Sequence, residues 1–181
     1  MDSSTVIQIV ILICLLAFSA FFSSAETSLT TANKIRMRSL ADEGNKRAKM
    51  VLRLSEHSPQ MLTAILIGNN VVNLSASSLT TSIAYQFGGS AIVVANAAIT
   101  ILILLFGEIT PKTTATLYPE KISLIYAPIV KFFTRIMSPL VALINLLSKA
   151  VLFLLHIDAN AQSSTMTETE LRTIVDVSHE D

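Results

Sequence analysis

The chain has 181 residues, of which 51% are hydrophobic and only 14% charged, with a formal net charge of zero. Soluble domains carry about 25% charged residues, and here the shortfall falls in long apolar runs, so a membrane bundle is indicated. One cysteine, Cys14, excludes an internal disulfide framework and a zinc pattern, and no basic face with interleaved aromatics offers itself to nucleic acid.

A membrane-spanning helix needs about 20 mainly apolar residues. The first such run begins at Val6 and reaches Ala25, giving a predicted span over 6–25 that holds Cys14 as a lipid- or helix-facing residue. A cleavable leader would need a positive segment ahead of the apolar run. Met1–Thr5 offers only Asp2, so Ser23-Ser24-Ala25 is not read as a cleavage site. Ser19 and Ser23 stand four apart and share a helix face. Ser24 lies on the neighbouring face, and Glu26 follows near the end. Serines in membrane helices commonly serve close packing.

The connection that follows, Asn33–Pro59, carries Lys34, Arg36, Arg38, Lys46, Arg47, Lys49 and Arg53. So many cations place it on the cytoplasmic side. Ala41–Leu54 reads as helix, and an interfacial helix is predicted within 34–57, its cations meeting anionic lipid. The second span, 61–85, is rich in Asn, Ser and Thr. Its middle holds Gly68-Asn69-Asn70-Val71-Val72-Asn73, with Asn69 and Asn73 on one face and Asn70 turned elsewhere. Interhelical hydrogen bonding contributes only about 0.6 kcal/mol on average, and three asparagines so close together exceed what packing needs. The uncharged turn Gln86–Ser90 falls outside.

The third span, 91–108, ends on Gly107-Glu108-Ile109-Thr110-Pro111-Lys112. A charged group at the bilayer centre costs about 3 kcal/mol on insertion scales, and such residues mark ion pathways. The alternative is a hydrated Glu108 at the interface. Gly107 permits close approach, and Pro111 lacks the N–H that would bond the Gly107 carbonyl. The expectation is therefore a broken helix lining a cavity. Lys112 and Lys121 lie inside again, so the N-terminus is predicted outside and the C-terminus cytoplasmic.

A fourth apolar stretch, 122–157, has polar residues at Lys131, Arg135, Ser138, Asn145 and Lys149 in helical steps, with Pro128 and Pro139 dividing it. Such a stripe suits one or two helices lying in the interface plane. The composition changes from Asp158. Thr167 and Glu170 form a helix N-terminal signal, and the helix is cut at Asp181, so a cytosolic region is expected beyond.

The polar groups of the three spans combine into one donor set: hydroxyls, carboxamide oxygens, backbone carbonyls at Gly68 and Gly107, and one carboxylate. Hard oxygen donors suit Mg²⁺ or Ca²⁺ rather than a soft transition metal, and Na⁺ also fits them. No enzyme is indicated. A serine nucleophile needs an adjacent base, but His57 and His156 lie at membrane edges and His179 in the tail.

Phe18-Ser19-Ala20-Phe21-Phe22-Ser23-Ser24-Ala25-Glu26-Thr27, Gly68-Asn69-Asn70-Val71-Val72-Asn73 and Gly107-Glu108-Ile109-Thr110-Pro111-Lys112 together resemble the transmembrane domain of the CNNM/CorC magnesium transporters, once called hemolysin-like proteins. The resemblance covers residues 1–160. It implies an all-α homodimer with three spans per chain and a belt of juxtamembrane helices, sited in the cell membrane among its lipids. It implies outward Mg²⁺ transport, coupled to Na⁺ in some members. A dehydrated Mg²⁺ would be held by Ser19, Ser23, Gly68, Asn69, Asn73 and Glu108, supported by Ser24, Asn70, Gly107, Pro111 and Lys112. An acidic linker leading to an ATP-binding tandem CBS module is also implied. Residues 161–181 look like the start of that linker, and the CBS module lies outside the sequence. The resulting expectation is a Mg²⁺ transporter working by alternating access. The rival is a non-conducting Mg²⁺ sensor or scaffold that regulates another transporter.

Overall fold

The structure is a computed structural model and describes residues 3–155. Within them all regular structure is helical, in the order α1 (Ser3–Thr31), α2 (Lys34–Asp42), α3 (Lys46–Glu56), α4 (Ser58–Tyr85), α5 (Gly89–Leu102), a π-helical stretch (Ile103–Ile109), α6 (Thr110–Leu117) and α7 (Pro119–Leu154). His156 and the linker signal at Thr167 and Glu170 lie outside the described residues. Met1–Ser138 forms one compact unit, and a second begins at Pro139.

Among the described residues four helical segments are long and apolar enough to cross a membrane: Thr5–Thr31, Ser58–Tyr85, Gly89–Leu117 and Pro119–Leu152. The first two contain the predicted spans 6–25 and 61–85. The third extends past the predicted span 91–108. The predicted span stops at Glu108, whereas the helical path runs through Glu108 and Pro111 to Leu117. The missing N–H of Pro111 does not break the helix. It is absorbed by a widened π turn, in which the Thr110 N–H reaches back to the Leu105 carbonyl. In the fourth stretch the helix α7 runs over 36 residues without a break at Pro128 or Pro139, and Pro139 is where the second unit begins.

The predicted helix over Ala41–Leu54 is two helices instead. Gly44 takes φ +96°, a left-handed conformation that favours glycine. Asn45 then caps α3 by accepting from the Arg47 and Ala48 N–H groups at 2.9 and 3.2 Å. Asn33 caps α2 the same way, accepting from Ile35 and Arg36. Pro59 sits in the first turn of α4, where its absent N–H costs nothing.

These short helices have a core to dock on. Phe22, Ala25 and Leu29 of α1, Met37 of α2, Val51 and Leu54 of α3, Met61 and Ile65 of α4, and Ala127 and Val130 of α7 are buried in one cluster. A second cluster of Ala76, Ile99 and Ile103 packs against Leu12, Leu15 and Leu16 of α1. Outward-facing positions such as Ile7, Val10, Leu74, Val93 and Ile101 remain exposed and apolar, as a lipid-facing surface requires. The two clusters lie at opposite ends of the α1–α4 contact. Along the two helices Ser19, Asn69 and Asn73 fall between them, while Ser23 and Ser24 lie among the α1 residues of the first cluster.

Candidate functional site

Helix α1 contributes Ser19 and Ser23, both fully buried. The Ser19 hydroxyl donates to Asn69 Oδ1 of α4 at 3.4 Å. One turn further along α4, Asn73 Nδ2 donates to Glu108 Oε1 of the π-helical stretch at 3.2 Å. The circuit closes through Gly107. A Cβ there would lie 2.7 Å from Ser19 Oγ and 3.1 Å from Ser19 Cβ, so only glycine lets the π turn approach α1 this closely. Three helices thus meet around Ser19, Asn69, Asn73 and Glu108.

Two oxygens among the site residues read from the sequence are buried without a hydrogen-bond partner: Asn73 Oδ1, on the amide that donates to Glu108, and Ser23 Oγ, one turn from Ser19 on α1. An unpaired buried polar atom costs about 1–3 kcal/mol, and where one persists in a native site an ion or water commonly explains it. Both oxygens carry free lone pairs and belong to the donor set read from the sequence. Glu108 is half-buried and supplies the negative charge among these side chains. Among the described residues no three His, Cys, Asp or Glu side chains gather as a metal cluster. Any cation held here therefore rests mainly on neutral oxygens.

The other sequence-derived residues divide. A Cβ on Gly68 would meet Phe22 Cζ at 2.7 Å and Phe133 Cζ at 2.8 Å, so close packing against these rings explains this glycine. Ser24 donates to the Ala20 carbonyl at 2.7 Å and the Phe21 carbonyl at 3.1 Å within its own helix. Asn70 is exposed. Lys112 pairs with Glu26 at 3.2 Å, tying α6 to α1. Both partners are more than a third exposed, so the pair contributes little to stability. Pro111 lines, with Ser24, Thr110 and Tyr126, a cavity of about 320 Å³ between α1, α6 and α7.

Sequence reading passed over one polar link. Asn96 of α5 donates to Thr81 Oγ1 of α4 at 2.9 Å and to its own Ile92 carbonyl at 3.0 Å. The signal was present, since Asn96 interrupts an apolar run. Only its partner on the neighbouring helix was invisible.

Comparison with known proteins gives the family. The profile of the family described as CNNM, cyclin M transmembrane N-terminal domain, matches residues 9–181. The chain is 38% identical over 167 residues to a UPF0053 protein of Haemophilus influenzae, covering 92% of this chain and 40% of that protein. It is 36% identical over 159 residues to the UPF0053 inner membrane protein YfjD of Escherichia coli, covering 87% of this chain and 37% of the relative. A polyamine export protein of Haemophilus influenzae is 31% identical over 186 residues, covering 95% of this chain and 43% of the relative. The chain spans about two fifths of the length of these relatives. With its apolar helices and its inner-membrane relative, it is a multi-pass membrane protein, and it belongs to the CNNM transmembrane-domain family.

Proposed function

We propose that this domain is the ion-binding core of a Mg²⁺ transporter. The carrying observation is the buried, unpartnered Asn73 Oδ1 on the amide that meets the Glu108 carboxylate, together with the unpartnered Ser23 Oγ one turn beyond Ser19 on α1. In this reading Mg²⁺ exchanges part of its hydration shell for Ser19, Ser23, Asn69, Asn73 and Glu108, with the Gly68 carbonyl as a further donor. Mg²⁺ takes six oxygens at about 2.1 Å. One carboxylate against a divalent ion leaves net positive charge, which favours reversible binding. The π-helical stretch supports the reading, because such distortions occur frequently at functional sites. Alternating access would expose the site to each side in turn, with Na⁺ entry as the coupled motion.

The proposed arrangement has three crossings, α1, α4 and Gly89–Leu117, with the N-terminus outside. The basic helices α2 and α3 then lie on the cytoplasmic side. Helix α7 would lie in the interface, on the argument of its polar stripe and the odd number of crossings. Pairing with a second copy and a role for a cytosolic CBS module belong to the same proposal.

A polyamine is the second cargo to weigh, because relatives 31% and 28% identical carry the name polyamine export protein. A linear polycation spreads its charges along its length and calls for several acceptors in a row. The compact oxygen set around one carboxylate favours a small ion. Flux in proteoliposomes of the purified protein tests the proposal, with Mg²⁺ and with spermidine, with and without an opposing Na⁺ gradient. Mg²⁺ flux that disappears in Glu108→Ala is expected. A protein that moves spermidine but not Mg²⁺ refutes the ion assignment. A protein that moves neither while binding Mg²⁺ is a sensor or scaffold.

A further inference from the structure

Two sequence features play no part in the ion site: the last cation of the basic connection, Arg53, and the polar stripe at Lys131, Arg135 and Ser138. Folding brings them together. They line one cavity of about 330 Å³ at the end of α3, the start of α4 and the middle of α7, along with His57, Gln60 and Thr134.

The chemistry of this lining is one-sided. Arg53, Lys131 and Arg135 face the cavity and no carboxylate does. The ion pairs formed among the described residues, Arg36–Glu120 and Lys112–Glu26, use none of these three cations. Lys131 and Arg135 stand four apart on α7, a like-charged arrangement that is unfavourable by itself. The hydroxyls add to the same bias. Ser138 Oγ accepts from Gln60 Nε2 at 3.2 Å, which leaves its own O–H free to donate. Thr134 Oγ1 is buried without a partner. The cavity thus offers guanidinium, ammonium and hydroxyl donors and asks for a ligand made only of acceptors.

We propose that this cavity binds a phosphate group. Arginine suits phosphate because its planar fork makes two parallel hydrogen bonds. Lys131 supplies a point charge, and Thr134 and Ser138 complete the donor set. The phosphate has two possible sources: the headgroup of an anionic phospholipid, or a soluble phosphate. Basic pockets between helices of membrane proteins bind lipid headgroups in this manner. The exposed side chains of Phe132 and Ile136, next to two of the cations on α7, offer apolar surface for acyl chains.

The test uses the purified chain in detergent, stripped of lipid. Dioleoyl phosphatidylglycerol, dioleoyl phosphatidylcholine and inorganic phosphate are added separately. Bound lipid is counted by native mass spectrometry, and stabilisation is read from the melting temperature. One tightly held phosphatidylglycerol is expected, weakened at least tenfold in K131Q/R135Q. It should also be weakened several-fold in T134V, which alters no charge. R47Q, a cation of the same connection outside the cavity, should bind as the parent does. Stabilisation by inorganic phosphate that is lost in the same variants, without phosphatidylglycerol binding, assigns the cavity to a soluble phosphate. The proposal is overturned if neither probe binds, if K131Q/R135Q binds like the parent, or if R47Q weakens binding equally. The lipid-free melting temperatures of these variants report whether they remain folded.

Discussion

The contact between Gly107 and Ser19 makes a sharp prediction, because it joins packing to ion binding at one point. In Gly107→Ala the new Cβ would sit 2.7 Å from Ser19 Oγ and 3.1 Å from Ser19 Cβ, where carbon atoms pack best at about 3.5–4.0 Å. The hydroxyl can rotate away and release Asn69. The serine Cβ cannot, so α1 and the π turn must part by a few tenths of an ångström. Overpacking of this kind costs about 1–3 kcal/mol. Replacing glycine by alanine inside a helix returns about 0.8–1 kcal/mol. The net expectation is a loss of about 0–2 kcal/mol. The reciprocal double variant S19G/G107A moves the methylene from one helix to the other and removes the clash. Its stability should exceed the sum of the single effects by about 1 kcal/mol, within the range for residues in contact. Mg²⁺ affinity should not return with it, because the Ser19 oxygen is gone. Unfolding midpoints in detergent and calorimetric Mg²⁺ titrations of the four proteins read both quantities. A G107A protein more stable than its parent, or a double variant no better than additive, refutes the close approach. Parental Mg²⁺ affinity in the repacked double variant removes Ser19 from the ligand set.

Two further outcomes are expected. Ser23→Ala deletes a buried oxygen that has no partner. The metal-free protein should keep its stability or gain up to about 1 kcal/mol, while Mg²⁺ affinity falls about tenfold; unchanged affinity in the titration refutes a ligand role. Asn45→Ala removes the acceptor of the Arg47 and Ala48 N–H groups and should cost about 1 kcal/mol, with faster hydrogen exchange at those two amides and no change at Glu108.

Much of this protein is legible from local pattern. Apolar runs of spanning length announce the long helices. The spacing of Ser19 with Ser23, and of Asn69 with Asn73, places each pair on one helix face whatever the neighbours are. Glu108 stands out because a carboxylate in an apolar run is costly. Helix periodicity is a property of one segment, so one segment suffices to read it.

The tertiary structure decided what those faces meet. That the Asn73 amide turns to Glu108, that Ser23 Oγ is buried without a partner, and that Gly107 rests on Ser19 depend on the axial register of three helices. Periodicity carries no information on that register. The π turn lies at the same contact: Pro111 removes one hydrogen bond, and Gly107 within the widened stretch rests on Ser19 of α1. Gly44 was visible as a residue, but its left-handed φ, which splits the basic connection into two capped helices, follows from both helices docking on one core. The basic cavity is the extreme case. Arg53 and Arg135 are 82 positions apart in the chain, and folding alone makes them neighbours of one space.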